Sequence, residues 1–218
     1  MPSSAAETAA RLESTGVVAV IRADSPDQCV DICRALGAGG VVGWEIAMTT
    51  PRALRAIEQV ADELGDEGCV GVGTVLDAPT AAAAIHAGAE FVFSPTVALD
   101  VIDTAKRYGR MVVPGALTPT EVLAAWTAGG DLVKVFPAGR MGPKYFKDLH
   151  GPLPQVKLTP TGGVDLDTAA DWIAAGACCL GAGSSLVKMS HVRAGEFDAI
   201  TGLAKQFIDT VAAARAAN

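Results

Sequence analysis

Short runs of apolar, mostly β-branched residues recur along this 218-residue chain at roughly 20- to 28-residue intervals, each followed by a helix-like segment. The recurrence restricts the fold strongly, because parallel strands can be joined only through a crossover of a dozen or more residues, usually a helix. The first run is Val17-Val18-Ala19-Val20-Ile21, preceded by an amphipathic N-terminal segment over about residues 5–14. The others are Val41-Val42-Gly43-Trp44-Glu45-Ile46, Cys69-Val70-Gly71-Val72-Gly73-Thr74, Phe91-Val92-Phe93-Ser94-Pro95 and Met111-Val112-Val113-Pro114-Gly115, then Leu132-Val133-Lys134-Val135, Val156-Lys157-Leu158-Thr159-Pro160 and Cys178-Cys179-Leu180-Gly181-Ala182-Gly183.

Start signals stand between them. Ser25-Pro26-Asp27 caps a helix to about Leu36 that Gly39-Gly40 ends, and Thr50-Pro51 opens one to about Leu64. Thr118 and Glu121 suit a reciprocal cap, and further helices are predicted over 78–87, 99–108, 143–149, 166–175 and 196–215. Eight strand–helix units with no linker or composition shift predict a single-domain α/β fold, a (β/α)8 TIM barrel over residues 1–218. A doubly wound open sheet is the alternative arrangement of the same elements.

Composition narrows the partners. A net charge of -7 argues against a nucleic-acid or anionic-membrane surface, and no window reaches the length of a membrane span. The N-terminus has no basic region followed by an apolar stretch, so a cytoplasmic protein is expected. The five cysteines have no framework spacing and read as reduced core thiols. His86, His150 and His191 are too scattered to suggest a zinc site.

The chemistry centres on Leu132-Val133-Lys134-Val135-Phe136-Pro137-Ala138, which places a lysine inside a buried strand. Burial of an ammonium is costly, and desolvation favours the neutral amine, the form that attacks a carbonyl to make a Schiff base. An edge lysine or an ion-paired one is the plainer reading. Glu45, between Trp44 and Ile46, is a carboxyl in apolar surroundings, which should raise its pKa. Together the two suit acid–base chemistry at a carbonyl, and spacing alone does not separate that from a structural ion pair. Arg22, Glu45, Thr74, Ser94, Lys134, Thr161 and Ser184 are each placed at the end of a different predicted strand, so a barrel would gather them at one mouth. Arg22 suits a carboxylate, unless a loop acid such as Asp24 pairs with it. The turns Thr161-Gly162-Gly163 and Gly181-Ala182-Gly183-Ser184-Ser185 follow the last two strands, where barrels often bind phosphate. The ligand expected is a small phosphorylated compound bearing a carbonyl.

At these landmarks the chain resembles the class I 2-keto-3-deoxy-6-phosphogluconate (KDPG) and 4-hydroxy-2-oxoglutarate (KHG) aldolases. The likeness runs from Val17-Val18-Ala19-Val20-Ile21-Arg22 to Gly183-Ser184-Ser185-Leu186-Val187 and includes Gly71-Val72-Gly73-Thr74-Val75, Ser94-Pro95, Pro114-Gly115 and Pro160-Thr161-Gly162-Gly163-Val164. Its most specific element is Lys134-Val135-Phe136-Pro137-Ala138 with Gly142 beyond, where Val135 replaces the usual Leu or Phe. Glu45-Ile46-Ala47-Met48-Thr49 keeps the family's acid but has Thr49 where many members carry a substrate-binding arginine, which would leave that work to Arg22.

The resemblance implies Lys134 as the Schiff-base lysine and Glu45 as the proton-transfer group. It also implies Arg22, Thr74, Pro95, Phe136 and Thr161 as substrate contacts, with Gly162, Gly163, Gly183 and Ser184 around the phosphate. The implied reaction cleaves KDPG to pyruvate and glyceraldehyde 3-phosphate. The 6-phosphogalactonate epimer, unphosphorylated 4-hydroxy-2-oxoglutarate and a non-catalytic sugar-phosphate binder remain alternatives. No metal or cofactor is called for, since the iminium itself polarises the substrate. Members of the family are typically homotrimers.

Overall fold

The computed structural model describes residues 3–217. Helix α1 (Ala5–Thr15) opens with the reciprocal cap of Ser4 and Glu7 and ends at left-handed Gly16, which hands the chain to β1 (Val17–Ile21). There follow α2 (Pro26–Ala38), β2 (Gly43–Ala47), α3 (Ala53–Leu64), β3 (Cys69–Gly73), α4 (Ala78–His86), β4 (Phe91–Phe93), α5 (Leu99–Arg107) and β5 (Met111–Val113). The chain continues through β6 (Gly115–Ala116), α6 (Pro119–Thr127), β7 (Val133–Val135), α7 (Pro143–His150), β8 (Leu158–Pro160), α8 (Leu166–Ala174), β9 (Leu180–Ala182), α9 (Met189–Ala194) and α10 (Phe197–Ala216).

The strands pair in parallel throughout, as the helical crossovers require. Six form a curled sheet in the order β5-β4-β3-β2-β1-β9, and β6-β7-β8 form a second. The architecture is α/β, with helices laid on the outer face of the sheets. On β1 the alternation is plain. Val17, Ala19 and Ile21 belong to the layer under the helices, whereas Val18 joins Cys69, Phe91, Phe93, Met111, Val113 and Cys179 on the inner face. Both faces are buried, which explains the continuous apolar runs. Leu12 of α1 completes the inner cluster, fully buried, so α1 covers the end of the sheet where the strands begin. On the outside, α3 shows how a helix is chosen: Ala53, Ala56, Ile57, Val60 and Leu64 recur at helical spacing and are its buried face.

The structure differs from the expectations at several boundaries. β2 begins at Gly43 rather than Val41, because the Val41 N–H donates to Leu36 of the preceding helix and its carbonyl accepts from the Trp44 indole at 2.7 Å. α3 begins at Ala53 because Arg52, at its N-cap, is left-handed with φ 55°. The predicted fifth strand is divided at Pro114, which has no N–H to give, into β5 and β6. The short helix α9 and a 3-10 turn over Ala138–Arg140 were not anticipated. Isolated parallel bridges, Leu158 to Ala177 and Thr161 to Gly181, link β8 with the segment leading through β9.

Candidate active site

A pocket of about 500 Å³ opens where the strands end. Lys134 forms part of its floor from the middle of β7, opposite Gly115 of β6 and Thr159 of β8 in the ladder. Glu45 stands in the middle of β2, level with Val20 and Gly71. Lys134 lies inside its strand, as the buried run predicts, and Glu45 stands mid-strand rather than at a strand end, so both sit deeper than the loops. Lys134 is 4% exposed and Glu45 fully buried, with Nζ 4.0 Å from Oε1. Glu45 does not line the pocket; it lies beneath it, and neither carboxyl oxygen has a hydrogen-bond partner among the described residues. Burial pushes its pKa up from the ordinary 4.5, against the opposing pull of the Lys134 and Arg22 charges. The ammonium nitrogen also stands 5.1 Å from the centre of the Phe136 ring and 5.7 Å from that of Phe93.

Glycine makes room for this pair. A Cβ on Gly73 would fall 1.9 Å from Glu45 Oε1 and 2.6 Å from its Cδ, so the carboxyl occupies space that any other residue at position 73 would fill. Directly after it Thr74 is left-handed, with φ 62°, an uncommon conformation for a β-branched residue. Thr74 lines the pocket together with Pro95 and Phe136. Thr161 is buried, its Oγ1 lacking a partner among the described residues, and a Cβ on Gly181 would come within 2.2 Å of that oxygen.

The glycine-rich turns form one wall. Gly162 and Gly163 both have positive φ, and Gly163 packs on the backbone of Gly139, where an added Cβ would meet the Gly139 Cα at 2.8 Å. Gly183 and Ser184 line the same wall, in a turn whose Gly183 carbonyl accepts from the Leu186 and Val187 N–H groups. Arg22 reaches the pocket from the end of β1. Its suggested partner Asp24 is held by Arg193 instead, and no carboxylate pairs with Arg22 among the described residues.

One expected member of the mouth is absent. The Ser94 hydroxyl turns into its own loop, donating to the Thr96 carbonyl at 2.8 Å and accepting from the Thr96 N–H at 3.2 Å. Sequence reasoning gave no site role to Val20, Val164 and Asp165, which also line the pocket, as does Ser185 of the last glycine-rich turn. Asp165 caps α8 through the Thr168 N–H at 3.0 Å, a role its position before the helix did signal. Ser185 donates to the Val164 carbonyl at 2.6 Å, a contact between the two glycine turns that no local pattern announces.

No group of three or more His, Cys, Asp or Glu residues is placed to hold a metal ion among the described residues. Burial pushes the Cys29 and Cys69 thiols up to about 12, so neither offers a thiolate at neutral pH. The arrangement brings an amine, a carboxyl able to exchange a proton, a cation and a backbone-rich wall around one small cavity.

The comparisons agree with this chemistry. The family described as KDPG and KHG aldolase matches residues 8–203. The 2-dehydro-3-deoxy-6-phosphogalactonate aldolase of Escherichia coli K12 is 33% identical over 173 residues, 79% of this chain and 84% of that protein. The KHG/KDPG aldolase of the same organism is 34% identical over 195 residues, 88% of this chain and 91% of that one. Among solved structures, a KDPG aldolase from Legionella pneumophila with pyruvate captured as a covalent carbinolamine superimposes with a TM-score of 0.85 at 26% identity, over 91% of this chain and 96% of that one. The chain belongs to the KDPG and KHG aldolase family.

Proposed function

We propose that this chain is a class I aldolase that cleaves KDPG to pyruvate and glyceraldehyde 3-phosphate through a Schiff base on Lys134. The observation that carries the reading is a buried amine on the floor of the pocket with an unpartnered, buried carboxyl 4.0 Å from it. The neutral Lys134 amine adds to the C2 ketone and water leaves, giving an iminium that draws electrons from C3. Glu45, through a water, takes the proton of the C4 hydroxyl as the C3–C4 bond breaks, and the electron pair of that bond forms the enamine. Glyceraldehyde 3-phosphate departs, Glu45 returns a proton to C3, and hydrolysis frees pyruvate and the amine. A carboxyl whose proton affinity is raised by burial suits both directions of this transfer.

Arg22 would take the substrate carboxylate, Thr74, Pro95 and Thr161 would position the chain of the sugar acid, and Phe136 would wall its apolar side. The N–H groups of Gly162, Gly163 and Gly183 with the Ser184 hydroxyl would hold the phosphate. Cleavage of the C4 epimer is the second reading, supported by the Escherichia coli phosphogalactonate relative at the same level of identity.

The same reading completes the two sheets as a closed (β/α)8 barrel, supported by the bridges from β8 toward β9 and by the Asp131 N–H, just before β7, donating to the Val112 carbonyl of β5. A cytoplasmic homotrimer is part of the proposal. The well-exposed Leu76, in the loop after β3, and Leu99, at the start of α5, offer apolar surface for subunit contact, and no described helix is long and apolar enough to cross a membrane.

Borohydride reduction with pyruvate, followed by peptide mass spectrometry, tests the mechanism. A reduced pyruvyl adduct is expected on Lys134, and its absence in folded protein would overturn the Schiff-base reading. Turnover of the gluconate and galactonate substrates in parallel then separates the epimers.

A further inference from the structure

Arg22 closes β1 at the pocket, and Asp24 follows two residues later on the same exposed turn. An arginine and an aspartate so close attract each other, and an aspartate seated on the Arg22 fork would occupy the donors that a substrate carboxylate needs. In the structure Asp24 is engaged elsewhere. Arg193 of α9 donates from Nε to Oδ2 at 2.8 Å and from its terminal nitrogen to Oδ1 at 3.2 Å. The hydrogen bonds from Arg193 hold the Asp24 carboxyl below its usual range. The turn is fixed on its other sides as well, the Asp24 N–H donating to Gln28 Oε1 at 3.0 Å and the Ala23 N–H to Thr50 Oγ1 at 3.4 Å. Asp24 is thus accounted for, and Arg22 faces the pocket with its charge uncommitted.

We propose that Arg193 is a positioning residue for substrate binding: by sequestering Asp24 it keeps the Arg22 guanidinium free for the substrate carboxylate, the role given to Arg22 above and on which this step rests. Arg193 makes no contact with the pocket. Its effect passes through Asp24.

A plain tether is the competing account, since the same pair ties the turn after β1 to α9, which follows the phosphate-side turn at Gly183. Rescue separates the two. Steady-state kinetics on the phosphorylated 2-keto acid would be measured for the wild type, R193A, D24N, R193A/D24N and R22A, at low and high salt. Sequestration predicts a KM about three- to fivefold higher in R193A with kcat unchanged, the effect of one exposed ion pair. D24N and the double variant should stay within about twofold of wild type, and the R193A defect should shrink at high salt. Equal losses in R193A, D24N and the double variant would establish the tether and overturn the proposal. An unchanged KM in R193A would overturn it too. A wild-type KM in R22A would remove the assignment of Arg22 itself, a failure distinct from the other two. Pyruvate trapping on Lys134 should persist in R193A, D24N and the double variant, which shows that the amine and its surroundings are intact.

Discussion

Gly73→Ala is the sharpest test of the Glu45 assignment, because the added atom meets the side chain thought to move the proton. The three heavy atoms nearest to the new Cβ all belong to Glu45: Oε1 at 1.9 Å, Cδ at 2.6 Å and Cγ at 2.7 Å. Carbon–oxygen contacts below 3.0 Å essentially do not occur, so the carboxyl must retreat by about 1.1 Å from its present place. Glu45 is fully enclosed, so the retreat cannot be absorbed by swinging the group into solvent. Overpacking of this kind costs about 1–3 kcal/mol of stability. A misplacement of about 1 Å in a catalytic group costs on the order of 100-fold in rate.

The assay has two parts. Pyruvate release gives kcat, and borohydride trapping reports whether Lys134 still forms its imine. Expected are a kcat lower by about 100-fold, retained trapping, and a urea midpoint shifted by the strain. The double variant Glu45→Ala/Gly73→Ala should recover most of the strain, because no carboxyl remains for the Cβ to meet, giving a coupling of about 1–3 kcal/mol between the two positions. A folded Gly73→Ala protein with kcat within a few-fold of wild type would refute the reasoning, since Glu45 could then be displaced without consequence.

Three further outcomes follow from residues at the same pocket. With a folded-state pKa raised above 4.5, Glu45 keeps in the native state a proton that the unfolded chain has lost. Stability should therefore fall as pH rises from about 4.5 through the raised value, by at most about 1.4 kcal/mol per pH unit. Glu45→Gln should lack that slope in urea titrations across the window, and identical slopes would refute the burial argument. The same variant should lose the acid limb of the wild-type kcat/KM profile while still trapping pyruvate. Thr74→Gly should relieve a left-handed β-branched residue and raise stability by about 1 kcal/mol, a Tm gain of about 2–4 °C, while KM rises. A lower Tm would mean that the backbone there is not strained.

The fold was legible because its signal is repeated. Eight apolar runs with capped helices between them gave the α/β class and the helix starts at Ser25 and Thr118, and the amphipathic opening placed the first helix from about Ala5. What escaped was decided by individual hydrogen bonds that an apolar pattern does not encode. Val41 looks like strand until the Leu36 carbonyl and the Trp44 indole take its polar groups, and Ser94 looks like a site residue until its hydroxyl closes on Thr96. Ser185 was read within the last glycine-rich turn, but its bond to Val164 on another turn was not foreseeable. Polar residues near strand ends could be counted in the sequence, but which way each side chain turns depends on loop hydrogen bonds that no spacing encodes.

The depth of Glu45 and Lys134 carries the same lesson further. Both stand one position or more inside their strands, Lys134 as the buried run implies and Glu45 deeper than expected, where the ladder rather than a loop fixes the backbone. That placement explains why the site can break local rules without loosening. A carboxyl with no hydrogen-bond partner, a threonine with an idle buried hydroxyl and another held left-handed each carry a cost, and all three collect at one pocket. Strand pairing on both sides of Glu45 and Lys134 leaves neither backbone free to relax toward a better-satisfied arrangement. The unmet polar groups are thus held in place at the pocket, and the glycines at 73 and 181 are the spaces in which the Glu45 carboxyl and the Thr161 hydroxyl are kept.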